Sequence, residues 1–240
     1  MQNWLASLKV KIIKLGTCVV EAPEPLPTTT VQIKSALGIG GGSTVVLIET
    51  DRRVLIDTGF DNEAVQTPEN REANRRKLVA ALKEEGYEKE DIDAVFITHW
   101  HLDHYGNVEL FQKAELLASQ PLVKRLNLTG FKGVEDGEQI ARDARVIFTP
   151  GHTADHASVI VAGEIRIVVA GDAIVSLSYF DKGKAWQYNT DFYSGEKAMQ
   201  SMVLLARSAD IIIPGHGLPF MSYQPAWLLE RQSGGQSTRL

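Results

Sequence analysis

The chain has 240 residues, of which 44% are hydrophobic and 23% are charged, and its net charge at pH 7 is -5. This length can bury the core of one large α/β domain or of two small ones. The mild negative charge argues against broad electrostatic binding to nucleic acid or to an anionic membrane, because both require clustered Lys and Arg.

Cysteine usage and hydropathy predict a protein of the reducing cytoplasm. Cys18 is the only cysteine in the sequence, which excludes an internal disulfide, and its apolar neighbours favour a buried thiol. No apolar run approaches the roughly 18 residues that span a bilayer. The N-terminal segment is interrupted by lysines and lacks the apolar stretch and cleavage site of a signal peptide. We therefore expect a cytoplasmic protein that does not bind membranes.

The first predicted elements are strands. Residues 9–15 alternate polar and apolar side chains, as a half-buried strand does. Residues 44–50 and 53–57 are apolar runs separated by a short polar turn, which indicates a β-hairpin.

A loop and a helix are predicted around this hairpin. Residues 21–43 are rich in Pro and Gly, which is typical of a surface loop. The glycine-rich part at 38–43 could act as a mobile flap that closes over the binding site. Residues 70–87 predict a helix that ends at Gly86, a common residue just beyond a helix C-terminus.

The second half alternates further strands with one long helix. The predicted strands are residues 93–98, 145–149, 157–162, 165–170 and 211–213. Ser194 is the predicted N-cap of the helix, whose methionines, Met199 and Met202, have helical spacing and are expected in the core. The polar tail at 233–240 is expected to fray.

All six histidines lie in short segments that directly follow predicted strands. Loops at strand ends are where rigid sheets usually carry binding side chains. The histidines are His99, His101, His104, His152, His156 and His216. Histidines with purely structural roles would be scattered along the chain, so this grouping indicates a binding site.

The segment from His99 to His104 has the spacing of metal ligands. His99 and His101 are two residues apart, so in an extended segment both rings project to the same side and can share one ion. Asp103 and His104 follow and can face a second ion about 3.5–4 Å away, the separation found in two-metal hydrolytic sites. Imidazole and carboxylate ligands suit a borderline divalent ion such as zinc, and they would also suit iron or manganese.

Five motifs together resemble those of the metallo-β-lactamase superfamily. In chain order they are LIDTG, HWHLDH, TPGHTADH, AGDA and PGHG. The similarity extends over most of the chain, roughly residues 9–220. It implies one α/β domain over residues 1–240, folded as a four-layer αβ/βα sandwich in which two sheets pack face to face with helices outside.

The resemblance also implies a role for each matching residue. The first ion would be bound by His99, His101 and His152. The second ion would be bound by Asp103, His104 and His216. Asp172 would bridge the two ions. Beyond the ligands, His156 would support the site without binding an ion, and Asp57 would either orient a ligand imidazole or act only as a turn residue.

The resulting hypothesis is a metal-dependent hydrolase that acts on a small molecule. Coordination lowers the pKa of water from 15.7 to roughly 7, so a hydroxide that bridges two ions could attack an ester, thioester, lactone or amide carbonyl. Asp103 and Asp172 would be the catalytic carboxylates of such a centre. Neither nucleic acid nor a membrane is an expected partner.

Other functions stay open at this point. A mononuclear iron persulfide dioxygenase can share the same His-rich set, and a small metal-dependent nuclease would need a basic track that the sequence does not show. A non-catalytic metal-binding protein is disfavoured because the ligand set is complete. Diiron redox relatives typically have Glu where this chain has His101, which favours hydrolysis. Val175 stands where N-acyl homoserine lactone hydrolases often carry Tyr, which argues against a direct transfer of that activity.

An aromatic segment follows Asp172. Its six aromatic side chains are Tyr179, Phe180, Trp186, Tyr188, Phe192 and Tyr193. They could pack under a long loop, contact a second copy in a homodimer, or form an apolar wall of the substrate pocket. The candidates for the pocket wall are Tyr179, Phe180, Trp186 and Tyr188.

Overall fold

The computed structural model describes residues 9–18, 41–61 and 67–228, and its strands form two six-stranded sheets. Most of the predicted loop at 21–43 and the predicted tail at 233–240 lie outside these residues. The described end of the loop, which includes Gly42 and Ser43, is buried beside the histidine-rich segments.

The first sheet has the strand order β1-β2-β3-β4-β5-β6. Its strands are β1 Val10–Lys14, β2 Val45–Glu49, β3 Arg53–Ile56, β4 Ala94–Ile97, β5 Glu115–Ser119 and β6 Phe131–Val134. The predicted hairpin is confirmed, since β2 and β3 pair antiparallel with Glu49 opposite Arg53. From β3 to β6 all pairings are parallel, so the carboxyl ends of these strands meet at one edge of the sheet.

The second sheet has the order β12-β11-β10-β9-β8-β7. Its strands are β7 Gln139–Ala141, β8 Ala144–Phe148, β9 Ala157–Val161, β10 Ile167–Gly171, β11 Ile211–Pro214 and β12 Phe220–Met221. Only β10 and β11 pair in parallel among these described strands. Both of these strands therefore end at the same edge.

The helices begin and end with the signals expected from the sequence. They are α1 Pro68–Glu84, α2 Leu102–Tyr105, α3 Gln120–Leu126, α4 Leu177–Asp181 and α5 Gly195–Ser208. Thr67 caps α1 through a bond from the Asn70 amide, and Gly86 follows its end with φ of 85°, the left-handed conformation that suits glycine. Ser194 caps α5 as predicted, with its hydroxyl accepting from the Lys197 amide.

Three apolar clusters show that the fold is a four-layer sandwich, as predicted. Between the sheets, the first sheet contributes Val46, Ile56, Phe96 and Leu117, and the second contributes Val146, Val159, Val169 and Ile213. On the outer face of the first sheet, Leu78 and Leu82 of α1 pack against β2 and β4. On the outer face of the second, Met202 and Leu205 of α5 pack against β10 and β11. The layer order is therefore helix, sheet, sheet, helix.

Several details differ from the sequence predictions. Strands β5, β6 and β7 and helix α3 were not predicted, because runs of three to five residues with interspersed polar side chains show no clear period. Strand β10 begins at Ile167, and Ile165 is exposed in the preceding turn. Cys18 is half-buried rather than buried.

None of the helices in the described part of the chain combines the length and the apolar character needed to cross a membrane.

Candidate metal centre

Four strands deliver ligand-type side chains to one edge of the sandwich. β4 ends just before Thr98 and His99, and β8 ends before the turn that carries His152. In the second sheet, β10 leads directly into Asp172, and β11 leads through Gly215 into His216. Because the strands are held in rigid sheets, the backbone positions of these residues are fixed.

The short helix α2 places the remaining ligand-type residues of the first motif. His101 is its N-cap residue, and Asp103 and His104 lie within it. The backbone amide of Thr58 donates to the carbonyl of His104 at 2.7 Å, and the amide of Phe60 donates to the carbonyl of Asp103 at 2.8 Å. These bonds tie α2 to the segment after β3, so both side chains face the other histidines.

The structure brings His99, His101, His152 and Asp172 together as one group, whose ligand atoms all lie within 4.8 Å of one another. His101 Nδ1 lies 2.8 Å from His99 Nε2 and 3.0 Å from His152 Nε2. Asp172 Oδ2 lies 3.3 Å from His152 Nε2. Three imidazoles and a carboxylate so arranged could hold one divalent ion.

Asp103, His104 and His216 form a second group within the same limit of 4.8 Å. Asp103 Oδ2 lies 3.6 Å from His104 Nε2 and 3.4 Å from His216 Nε2. The other carboxylate oxygen of Asp172, Oδ1, lies 3.3 Å from His104 Nε2 and 3.4 Å from His216 Nε2. Asp172 therefore presents one oxygen to each group.

Outer hydrogen bonds decide which nitrogen of each ring faces the centre. Nδ1 of His104 donates to Asp57 Oδ2 at 2.7 Å, and Nδ1 of His216 donates to the Thr17 carbonyl at 2.9 Å. Nδ1 of His152 lies 3.4 Å from the Trp186 carbonyl. Each of these rings therefore turns its Nε2 inward and leaves that nitrogen available to a metal.

His99 and His101 follow the same rule through side-chain partners. Thr98 Oγ1 donates its proton to Asp57 Oδ2 at 2.9 Å, so it accepts from His99 Nδ1, which lies 3.1 Å away. His101 is turned the other way, with Nε2 donating to the Asp191 carboxylate at 3.0 Å and Nδ1 facing inward. One nitrogen of each of the five rings thus faces the two groups.

The residues present fit two divalent cations. His99 Nε2 and His101 Nδ1 are 2.8 Å apart, and the other nitrogen of each ring has an outer partner, so a shared cation could bind both inner nitrogens. His104 Nε2 and Asp172 Oδ1 are buried atoms without a hydrogen-bond partner among the described residues, and such atoms need a partner of another kind. The histidine and carboxylate donor set suits zinc, iron or manganese.

The electrostatics of the two groups differ. Burial lowers the pKa of His99 well below its usual range and lowers the pKa of His152 to about 4, so both rings are neutral. Burial also acts on His104 and His216, but the carboxylates of Asp103 and Asp172 outweigh it and raise both pKa values. The second group therefore attracts positive charge, which a divalent cation would supply.

His156 lies beside the centre but belongs to neither group. Its Nε2 accepts from the backbone amide of Asp172 at 3.0 Å, so its Nδ1 donates to Thr149 Oγ1 at 2.8 Å. Thr149 lies 2.8 Å from Ser158 Oγ, which donates to the Ala170 carbonyl at 2.8 Å. This buried chain of hydrogen bonds fixes the backbone at Ala170 and Asp172.

Two glycines allow the backbone to approach Asp172. Gly171 has φ of 53°, and a Cβ there would lie 2.8 Å from His156 Nε2. A Cβ on Gly215 would lie only 2.0 Å from Asp172 Oδ1. Glycine is therefore required at both positions for the carboxylate to sit between the two groups.

The aromatic segment divides between the core and a cavity. Phe180 is fully buried, and its ring packs against Phe220, Tyr223 and Trp227. Phe180 was predicted to line the pocket, but its ring packs in the apolar cluster beneath α5. A cavity of about 300 Å³ lies on the other side of this segment, and its lining includes Tyr179, Tyr188, Phe192 and Met199.

Two polar residues beside the first group were not found by sequence reasoning. Asp191 contacts His101, and Asn189 Nδ2 lies 3.1 Å from His101 Nδ1 and 3.4 Å from His152 Nε2. Both lie in an irregular segment before α5, with no motif around them. The fold alone brings them to the centre.

Comparisons with known proteins agree with this geometry. A family profile described as the metallo-beta-lactamase superfamily matches residues 37–119. Metallo-beta-lactamase domain-containing protein 1 of Xenopus laevis is 30% identical over 209 residues, covering 79% of this chain and 77% of that protein. The Homo sapiens protein of the same name is 33% identical over 203 residues, covering 82% of this chain and 70% of that protein.

A solved structure also shares the fold. The crystal structure of a quorum-quenching N-acyl homoserine lactone hydrolase has a TM-score of 0.61 to this chain at 20% sequence identity. The superposition covers 87% of this chain and 91% of that chain. At this identity the likeness concerns the arrangement of sheets and helices.

Proposed function

The chain belongs to the metallo-β-lactamase superfamily. We propose that it is a hydrolase in which two divalent ions act together on a small carbonyl substrate, and that these ions are zinc. The observation that carries this proposal is the position of Asp172. Its Oδ2 faces the group that contains His152 and its Oδ1 faces the group that contains His104 and His216. A carboxylate shared by two ligand groups is suited to holding two adjacent ions.

The metals and the protein would divide the chemistry between them. When bound, the two ions supply a water that is deprotonated near neutral pH and a Lewis acid for the carbonyl oxygen. Asp172 would contribute one carboxylate oxygen to each ion and Asp103 would bind the second ion, and the outer partners of His104 and His216 orient their rings. The rigid strands beneath these residues keep the centre organised before substrate arrives.

A cavity lined by part of the aromatic segment could hold an apolar part of the substrate. Its volume of about 300 Å³ is at the lower end for small-molecule sites. Trp186 connects it to the centre, because its carbonyl lies 3.4 Å from His152 Nδ1 and its ring packs on Tyr179 and Tyr188. The aromatic side chains of the lining would suit an acyl or aromatic group.

A substrate panel with metal analysis tests the proposal. Protein purified without added metal would be analysed for metal content and then assayed against generic esters, thioesters, lactones, amides and a β-lactam. We expect about two zinc ions per chain and hydrolysis of at least one carbonyl class that a chelator abolishes and added zinc restores. The lactones are included because the structurally similar N-acyl homoserine lactone hydrolase acts on that class.

Addition of a persulfide, single-stranded RNA and a simple phosphodiester to the panel separates the alternatives. One iron per chain with oxygen consumption in the presence of a persulfide would replace the proposal with a dioxygenase. Cleavage of single-stranded RNA or of a phosphodiester without carbonyl hydrolysis would replace it with a nuclease. Protein that binds no metal would contradict the whole assignment of ligands.

A further inference from the structure

We propose that Asp191 is a positioning residue of the first ligand group: its carboxylate holds His101 so that Nδ1, and not Nε2, faces His99 and His152. Asp191 Oδ1 and Oδ2 lie 3.0 and 3.1 Å from His101 Nε2. The two residues are 90 positions apart in sequence, so the contact depends on the fold. This inference rests on the metal centre of the proposed function and does not depend on its substrate.

His101 needs such a partner more than the other histidines do. His99 and His104 are fully buried, and their outer nitrogens face the enclosed side chains of Thr98 and Asp57. The His101 side chain is 18% exposed, so water could compete for its outer nitrogen. A carboxylate at that nitrogen fixes the tautomer, orients the ring and raises its basicity as a ligand.

The Asp191 contact is built in rather than a chance surface pair. Trp186 Nε1 donates to Asn189 Oδ1 at 3.1 Å, which directs the amide Nδ2 of Asn189 toward His101 and His152. Just after Asp191, the amides of Tyr193 and Ser194 both donate to the Gly151 carbonyl at 3.1 Å. The segment is therefore anchored on both sides of Asp191, beside the turn that carries His152. An exposed ion pair without such anchoring usually contributes little.

Zinc affinity measures this role without any substrate. Zinc-free protein would compete with a chromophoric chelator for zinc, which gives a dissociation constant for each of two sites. We expect Asp191→Ala to weaken one site by about 10–100-fold and to leave the other within about threefold. Asp191→Glu keeps a carboxylate on a longer, exposed side chain, so it should bind zinc almost as tightly as the wild type.

The matched control is Asp210→Ala. Asp210 is also an exposed carboxylate in an ion pair, with Arg166 at 2.9 Å, and it lies on the turn before β11 away from the ligand groups. Its loss should leave both zinc affinities unchanged. Thermal unfolding of each variant verifies folding, which we expect for Asp191→Ala because the side chain is 45% exposed.

Histidine nitrogen resonances provide a second readout that a merely structural role would not move. In zinc-free wild-type protein, long-range proton–nitrogen spectra should place the His101 proton on Nε2, and in Asp191→Ala that proton should distribute between both nitrogens. Wild-type affinity at both sites in Asp191→Ala, or no recovery in Asp191→Glu, would overturn the inference. The absence of carbonyl hydrolysis would instead affect only the proposed function.

Discussion

Asp57 Oδ2 lies 2.7 Å from His104 Nδ1, and both side chains are shielded from solvent. Asp57 has φ of 59° at the end of β3, a conformation that aspartate and asparagine tolerate better than most residues. Its other oxygen accepts from the Thr98 amide at 2.8 Å. The carboxylate therefore joins the ends of β3 and β4 and at the same time orients a ligand ring.

Replacement of Asp57 by Asn should weaken metal binding at the second group. The asparagine can keep the φ angle and the bond from the Thr98 amide, but its NH2 would face the Nδ1 proton of His104. His104 would then favour the tautomer with a proton on Nε2, the nitrogen that faces Asp172. We expect a 10–100-fold loss of zinc affinity at one site and a lower melting temperature.

Asp93→Asn is the control for this substitution. The Asp93 carboxylate also accepts a hydrogen bond from a backbone amide of the first sheet, that of Arg53 at 2.7 Å, but Asp93 is exposed. The Asp93→Asn variant should bind zinc as the wild type does. Equal zinc affinity for Asp57→Asn and wild type would show that Asp57 serves only the turn.

Asp172→Ala should abolish hydrolysis while the fold is kept. The substitution removes the carboxylate that both ligand groups share, and alanine fits a buried position at the end of β10. We expect turnover to fall by roughly 1,000-fold or more, equivalent to about 4 kcal/mol of transition-state stabilisation. Steady-state kinetics on the best substrate of the panel measures the loss, and circular dichroism verifies the fold. Turnover close to wild type would contradict the bridging role.

Gly215→Ala should disrupt the centre although it adds only one methyl group. The new Cβ would lie 2.0 Å from Asp172 Oδ1 and 2.9 Å from the Gly171 carbonyl carbon, so either the carboxylate or the backbone must move. A displacement of about 1 Å is enough to cost 100-fold in rate. We expect loss of zinc from at least one site together with loss of turnover, measured on the same preparation.

Gly195→Ala is the matched substitution for Gly215→Ala. Gly195 is the first residue of α5, and a Cβ there would meet nothing within 4 Å. Alanine in a helix is more favourable than glycine by about 0.5–1 kcal/mol, so this variant should be slightly more stable and should bind zinc as the wild type does. If both variants behaved alike, the close approach at Gly215 would not be the cause.

The contribution of Asp61 to stability should be lost at acidic pH. Burial raises the pKa of Asp61, but the ion pairs with Lys14 and Lys77 outweigh it and hold the pKa below the usual 3.8. A carboxyl with a lowered pKa in the folded state contributes stability above its unfolded pKa, and this contribution is lost as the pH falls through the folded pKa. Asp61→Asn should therefore destabilise the protein at pH 7, and the destabilisation should shrink as the pH falls below 3.8.

Urea unfolding of zinc-free protein at a series of pH values tests this dependence, since metal release then plays no part. We expect a difference of about 1 kcal/mol at pH 7, as for a partly buried ion pair. The same difference at every pH would mean that the amide disturbs packing rather than charge.

Much of the fold followed from local patterns in the sequence. The hairpin of β2 and β3, the capped helices α1 and α5, and the strands before each histidine segment were predicted because period and caps are properties of short stretches. Strands β6 and β7 were not, because FKGV and QIA are too short to show a period. Sheet pairing determines such strands, and pairing is a long-range property.

The candidate site divides in the same way. The spacing of His99, His101, Asp103 and His104 indicated two ligand groups, and the structure places these residues in two clusters. The zinc assignment, the catalytic roles and the cytoplasmic location stay predictions. Phe180 was assigned to the pocket by its position among aromatic residues, whereas its contacts with Phe220 and Trp227 place it in the core.

The order of residues along the chain was enough to show that His and Asp, which are common metal ligands, follow several of the predicted strands. Which nitrogen of each ring faces inward depends on the folded protein, because the partners are distant in sequence, such as Asp57 for His104 and Asp191 for His101. It also decided that Asp172 lies between both groups, since that position requires β10 and β11 to be paired in parallel. Local sequence specifies the ligands, and the packing of two sheets specifies their geometry.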